Sequence, residues 1–216
     1  MNTKRYTPGE ELANTLSHGI GILFGLIAGY FLLKRAQHYP DPWAVLCVSI
    51  YLLGMLSSYI SSTWYHGTLP GKRKELLRKF DHAAIYWHIA GTYTPFTLIT
   101  MRNAEYWGWG VFSFVWIAAI VGTILSFKKL KEHSNLETIC YVAMGSAILI
   151  AMKPLSQCLQ NTHTMNALWW LIAGGVSYII GALFYSFRKI RYMHSVFHLF
   201  CLGGSICHII SIWIIL

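Results

Sequence analysis

A few side chains in this 216-residue sequence are of types that bind metals or move protons, and they stand where such groups are costly. His194 and His198 are four residues apart. On a helix they share a face, one turn from each other, and two imidazoles so placed can hold one metal ion. With ten histidines in the chain, chance supplies roughly half of one such pair. Spacing alone therefore leaves open two histidines that merely face headgroups. His66 and Asp81 flank a short basic connector, and Ser62 lies one turn before His66 on the same face. Three imidazoles with an open fourth position make the pattern of a catalytic zinc site, whereas magnesium and calcium want more oxygen. Asp81 could bind zinc directly, bind it through a water that it also activates, or pair with Arg78 or Lys79 at an interface. Ser62 could hydrogen-bond a ligand, a water or a substrate oxygen, or its own helix backbone.

Long apolar runs must position these groups. Hydrophobic residues make up 55% of the chain and charged residues 12%, about half the charged share of a soluble domain. A disordered chain is excluded. A spanning helix needs about 20 mostly apolar residues. Seven runs qualify: Leu16 to Leu33, Trp43 to Tyr65, Ala83 to Thr100, Tyr106 to Phe127, Leu136 to Met152, Met165 to Phe187 and His194 to Leu216. The expected fold is an all-α integral membrane bundle of seven helices. Residues 1–15 form a short cytoplasmic segment, and residues 16–216 form a single transmembrane domain. The first run follows a polar stretch and is too long for the apolar core of a cleavable signal. Five cysteines, four of them in apolar runs, suggest no disulfide framework.

The net charge of +9 becomes informative once it is sorted by loop. Lys4, Arg5, Lys72, Arg73, Lys74, Arg78, Lys79, Lys128, Lys129, Lys131, Arg188, Lys189 and Arg191 fall on one side, and Lys34, Arg35, Arg102 and Lys153 on the other. The positive-inside rule puts the N-terminus in the cytoplasm and the C-terminus outside. The excess is thus mainly an orientation signal, and no nucleic-acid partner is expected. In this frame His66, Asp81, His194 and His198 share one layer in the inner leaflet. Of the eight acids, Asp81 alone is expected to join the histidines.

Other polar groups carry less specific signals. His194, His198, Cys201, Ser205 and His208 form a stripe along the last run, read first as interhelical hydrogen bonding and second as a cavity or proton path. His88 shares a face with Asp81. Glu11, Asn14 and His18 share a face entering the first run and either close its mouth or pack there. His82 points about 100° away from Asp81 and is left out of the metal set. Gly21, Gly25 and Gly29 should let a second helix approach closely. Pro95 should kink the third helix, with Thr92 or Thr94 bonding freed backbone groups.

Four segments together resemble a known family. They are EELANTLSHGIG at Glu10 to Gly21, SSTWYHGT at Ser61 to Thr68, RKFDHAAIYWHIAGTYTPF at Arg78 to Phe96, and HSVFHLF at His194 to Phe200. The chain resembles bacterial haemolysin III-related proteins, of the family that includes the progestin and adiponectin receptors, within a wider superfamily that contains alkaline ceramidases. The resemblance implies a zinc ion held by His66, His194 and His198, with Asp81 contacting it through water and Ser62 as the motif serine. The wider superfamily includes lipid-amide and ester hydrolases, and the first hypothesis is a zinc-dependent hydrolase of a bacterial inner membrane acting on a membrane lipid amide or ester, with Asp81 as general base and Ser62 orienting the water or helping the oxyanion. The substrate itself does not transfer from the family. A non-enzymatic lipid sensor stapled by structural zinc, and a haemolysin-like pore, remain the alternatives. The long cytoplasmic region of the animal receptors is lacking, so hormone recognition is not implied.

Overall fold

A computed structural model describes residues 6–128, 136–187 and 190–216. Of the basic residues used for orientation, Lys4, Arg5, Lys129, Lys131, Arg188 and Lys189 lie outside the described residues. Among the described residues the chain is all helix and turn: α1 (Pro8–His38), α2 (Ala44–Gly67), α3 (Lys72–Pro95), α4 (Trp107–Phe127), α5 (Leu136–Gly145), α6 (Met152–Asn161), α7 (Asn166–Ser186) and α8 (Met193–Ile215). A π turn, Phe96–Thr100, continues α3, and a 3₁₀ turn, Ser146–Ala151, joins α5 to α6. Six rods are long and apolar enough to cross a membrane, α5 to α6 counting as one. The protein is therefore a membrane protein. The seventh rod, α3, is less apolar, because its first turns carry Lys72, Arg73, Lys74 and Glu75 and its second half is buried among the other helices.

The first helix starts eight residues before the expected Leu16. Thr7 and Glu10 form a capping box: the Glu10 N–H donates to Thr7 Oγ1 at 3.3 Å and the Thr7 N–H donates to the Glu10 carboxylate at 2.9 Å. Pro8 sits in the first turn, where its missing N–H costs nothing. At about 1.5 Å per residue this helix outruns a hydrocarbon core of about 30 Å, so its polar first turns reach past the apolar layer. Leu16, Ile20, Leu23 and Ile27 stay exposed on its outer face, as lipid-facing residues should. Its inner face carries the glycines, and α2 packs on them. A Cβ at Gly21 would meet the Tyr59 ring at 3.0 Å, and one at Gly25 would meet Leu56 Cδ2 at 2.8 Å.

The fifth span runs nine residues past the expected Met152, to Asn161. Pro154 lies in the first turn of α6, where free N–H groups are normal, so it does not stop the rod. The break before it is repaired by α3. The Ile148 N–H donates to Tyr93 Oη at 2.8 Å, and the Tyr93 hydroxyl donates to the Gly145 carbonyl at 2.8 Å. Lys153 thus stands on this rod and not in a loop. At Pro95 the helix widens into the π turn. Thr92 and Thr94 do bond backbone carbonyls, those of His88 and Ala90, and Thr97 bonds that of Tyr93.

On the side away from the histidine layer, Arg102 forks onto Asp41 at 3.0 and 2.8 Å and ties the loop before α2 to the one before α4.

Candidate metal centre

Helices α2 and α8 bring the predicted histidines together. His66 closes the last turn of α2, and His194 and His198 occupy the first two turns of α8. His66 and His198 are buried, and His194 is nearly so. One ligand atom from each ring lies within 4.8 Å of the others. The Nε2 atoms of His66 and His194 are 3.1 Å apart. Two nitrogens about 2.05 Å from one tetrahedral zinc would be separated by about 3.3 Å, so this pair is already spaced for a shared ion.

The outer nitrogens determine which atoms are free to bind it. His66 Nδ1–H donates to Glu11 Oε2 at 2.7 Å, which leaves Nε2 with a lone pair. His198 Nδ1–H lies 3.2 Å from the Asn14 carbonyl and 3.0 Å from Ser17 Oγ. A carbonyl can only accept, so His198 Nε2 is also a lone pair. Carboxylate and carbonyl partners of this kind orient metal-binding imidazoles and fix their tautomer. Glu11 is itself held by Lys74 at 2.8 Å. Asn14 is fixed by Ser195, whose hydroxyl donates to Asn14 Oδ1 at 2.6 Å. His194 Nδ1 has no hydrogen-bond partner among the described residues. The donor set of three imidazoles fits zinc by chemistry and by spacing.

Asp81 and Ser62 lie beside this cluster. Both are buried, and Ser62 is near enough to the Asp81 carboxylate to act on it. Asp81 is not among the ligand atoms that gather within 4.8 Å. It stands nine residues into α3, which begins at Lys72, and so does not open that helix. His82, left out of the metal set, pairs with Glu137 of α5 at 2.5 Å.

The expectation that Asp81 alone among the acids would join the histidines is corrected by Glu11, which touches His66 directly. Ser17 is a further partner that the sequence does not single out. The signal for both is a polar stripe inside an otherwise apolar helix, Glu11, Asn14, Ser17 and His18. Deeper in the bundle, Tyr59 and Tyr178 converge on Ser205 Oγ at 2.7 and 2.8 Å, and His208 Nε2–H donates to the Leu171 carbonyl at 3.3 Å. Ser205 and His208, the deeper part of the stripe on α8, are thus tied to α2 and α7 by hydrogen bonds, as the reading placed first expects of them.

The family model described as "Haemolysin-III related" matches residues 6–209. The chain belongs to the haemolysin III family. It is 38% identical over 196 residues to Hemolysin-3 of Bacillus cereus, covering 91% of this chain and 87% of that one. It is 37% identical to the Hemolysin-3 homolog of Bacillus subtilis, covering 93% and 91%. Monocyte to macrophage differentiation factor of Homo sapiens is 28% identical, covering 97% of this chain and 86% of its own length. This haemolysin III family member thus matches bacterial and animal proteins along nearly its whole length. The matched region includes every residue of the histidine cluster and the α1 groups that hold it.

Proposed function

We propose that this protein is a zinc-dependent hydrolase of the bacterial inner membrane that cuts a lipid amide or ester. The observation that carries the reading is the pair of locked tautomers. Glu11 on His66, and Asn14 with Ser17 on His198, leave an Nε2 lone pair on each of two rings of the three-histidine cluster, beside Asp81 and Ser62. Zinc held there by His66, His194 and His198 would polarise a carbonyl and bring the ionisation of a water towards about pH 7. Asp81 would accept a proton from the attacking water and pass it to the departing nitrogen or oxygen. Ser62 would steady the Asp81 carboxylate by a hydrogen bond. Asp81 would contact the metal through that water.

The same reading takes α3 as the seventh span, with the N-terminus in the cytoplasm and the C-terminus outside. Among the described residues, Lys72, Arg73, Lys74, Arg78, Lys79, Lys128 and Arg191 lie on the side of the cluster, and Lys34, Arg35 and Arg102 opposite. By the positive-inside rule the site then sits in the inner leaflet. A lipid could keep its tail in the bilayer there while its linkage reaches the histidines.

Metal analysis beside a lipid hydrolysis panel tests the proposal. His66→Ala, His194→Ala and His198→Ala should lose zinc and turnover together. Asp81→Asn should keep about one zinc per chain and lose turnover by at least a hundredfold. Zinc retained with no hydrolysis of any lipid amide or ester would favour a structural staple in a lipid sensor. Turnover that survives in all four variants would refute the assignment.

A further inference from the structure

His18 of α1 is buried, and among the described residues neither of its ring nitrogens has a hydrogen-bond partner. The other buried histidines are better served. His66 has Glu11, His198 has Asn14 and Ser17, His88 lies 3.4 Å from the Tyr178 hydroxyl, and His208 has the Leu171 carbonyl. A neutral imidazole carries one donor and one acceptor. Burying both without partners is unfavourable, and where native structures do so the site usually serves a ligand or a water.

The position of His18 narrows the choice. It lies one helical turn beyond Asn14, on the side of the cluster away from the α1 N-terminus. Its ring stacks on that of His198, with centroids 3.5 Å apart and planes within 15°. Its nitrogens therefore lie one ring thickness from a metal-binding imidazole. Its other aromatic neighbour, Tyr59, meets it edge-on at 5.0 Å and spends its hydroxyl on Ser205. Among the described residues nothing else claims the donor and acceptor of His18.

We infer that His18 is a specificity-determining residue that hydrogen-bonds the polar linkage of a lipid as that linkage arrives at the histidine cluster. The ligand class is an acyl lipid whose amide or ester carbonyl accepts from the ring N–H of His18. A lipid with the same tail but no such carbonyl leaves that N–H unpaired and is rejected. The nature of this ligand rests on the hydrolase reading above, whereas the unpartnered nitrogens do not.

The test compares two probes, N-dodecanoylethanolamine and an ether of equal length that lacks the carbonyl and the N–H. Binding of each to the zinc-loaded full chain is measured in phosphatidylcholine nanodiscs, with zinc content determined in parallel. The wild type should prefer the amide by at least tenfold. His18→Phe should keep its zinc and its melting temperature and bind the two probes within about twofold of each other. His18→Gln, which retains a donor and an acceptor, should recover most of the preference. It also serves as the test if the Phe variant does not fold, since a change to Gln that matches the wild type while His18→Leu abolishes selectivity supports the same conclusion. Selectivity that survives in both apolar variants overturns the inference and leaves the hydrolase reading intact. Selectivity that depends on His18 without hydrolysis of any probe supports the inference and removes the hydrolase. A wild type that does not discriminate overturns it.

Discussion

Replacing Glu11 should weaken metal binding although Glu11 itself touches no metal. Its carboxylate accepts from His66 Nδ1–H at 2.7 Å and so holds the lone pair of that ring on Nε2. The next polar atom near Nδ1 is Asn14 Nδ2, at 3.4 Å. Ser195 pins the orientation of the Asn14 amide by donating to its oxygen at 2.6 Å, so the nitrogen that faces His66 is a donor. With the carboxylate gone, His66 meets a donor at Nδ1. The ring then favours the tautomer with its hydrogen on Nε2, the atom that must bind the metal. Loss of such an outer partner typically costs 10–100-fold in metal affinity, about 1.4–2.7 kcal/mol. Glu11→Gln keeps an oxygen that can still accept and should sit near tenfold. Glu11→Leu removes the acceptor and should approach a hundredfold. Zinc affinity measured by chelator competition checks both. Lys74→Met is the comparison: it removes the 2.8 Å pair with Glu11, a partly exposed ion pair worth less than about 1 kcal/mol, and the bonds to the His66 and Thr68 carbonyls, but leaves the Glu11 carboxylate on His66 Nδ1, and should move affinity much less than Glu11→Leu. A Glu11→Leu protein that binds zinc within twofold of the wild type would refute the tautomer argument.

Two further outcomes follow from packing and charge. A Cβ at Gly54 would lie 2.6 Å from the Trp87 carbonyl oxygen, a backbone atom of α3, whereas one at Gly25 would meet only the mobile ends of Leu56 and Met55. Gly54→Ala should therefore destabilise by about 1–3 kcal/mol and Gly25→Ala by clearly less, as read by thermal unfolding in one detergent. Burial alone would raise the Asp41 pKa, but the Arg102 fork and the Trp43 N–H outweigh it and leave the carboxyl below its usual range. A depressed folded value means stability that is present above the unfolded pKa of about 4 and is lost as pH falls through the folded one. Wild-type melting temperature should drop below about pH 4 by more than that of Asp41→Asn, and parallel curves would show that the pair contributes nothing.

The histidine cluster is legible because membrane sequences make ionisable groups conspicuous. His66, His194 and His198 stand at the ends of apolar runs, and orienting the loops places them at one depth. The groups that hold them are not legible, for a different reason. Whether Glu11 closes a mouth or bonds a histidine depends on which face of α1 meets α2 and α8, and no periodicity within α1 alone decides that. The fifth span runs past the expected Met152 although Pro154 follows two residues later. The proline stops nothing when Tyr93 on another helix satisfies the broken turn before it. The third rod reads as an ordinary span, yet it is buried by protein along much of its length and so needs fewer apolar residues.

Packing and chemistry on α1 turn out to be one feature. Its buried face runs Asn14, His18, Gly21, Gly25, Gly29, Leu32 and Ala36, at spacings of three and four. The deep half of this stripe is small, which brings the α2 backbone close, with Tyr59 against Gly21 and Leu52 against Gly29. The shallow half is polar. Because both halves lie on one rigid helix, the approach that the glycines permit also sets how far Glu11 stands from His66 and Asn14 from His198. Tyr59 links the halves directly: its ring covers Gly21, its edge meets His18, and its hydroxyl reaches Ser205. A side chain forced in at Gly21 would push on Tyr59 before it pushed on anything else. Through it the strain would reach the ring stacked on His198. The glycine stripe, which alone speaks only of close packing, is thus what holds the acceptors of α1 within hydrogen-bonding distance of the clustered histidines.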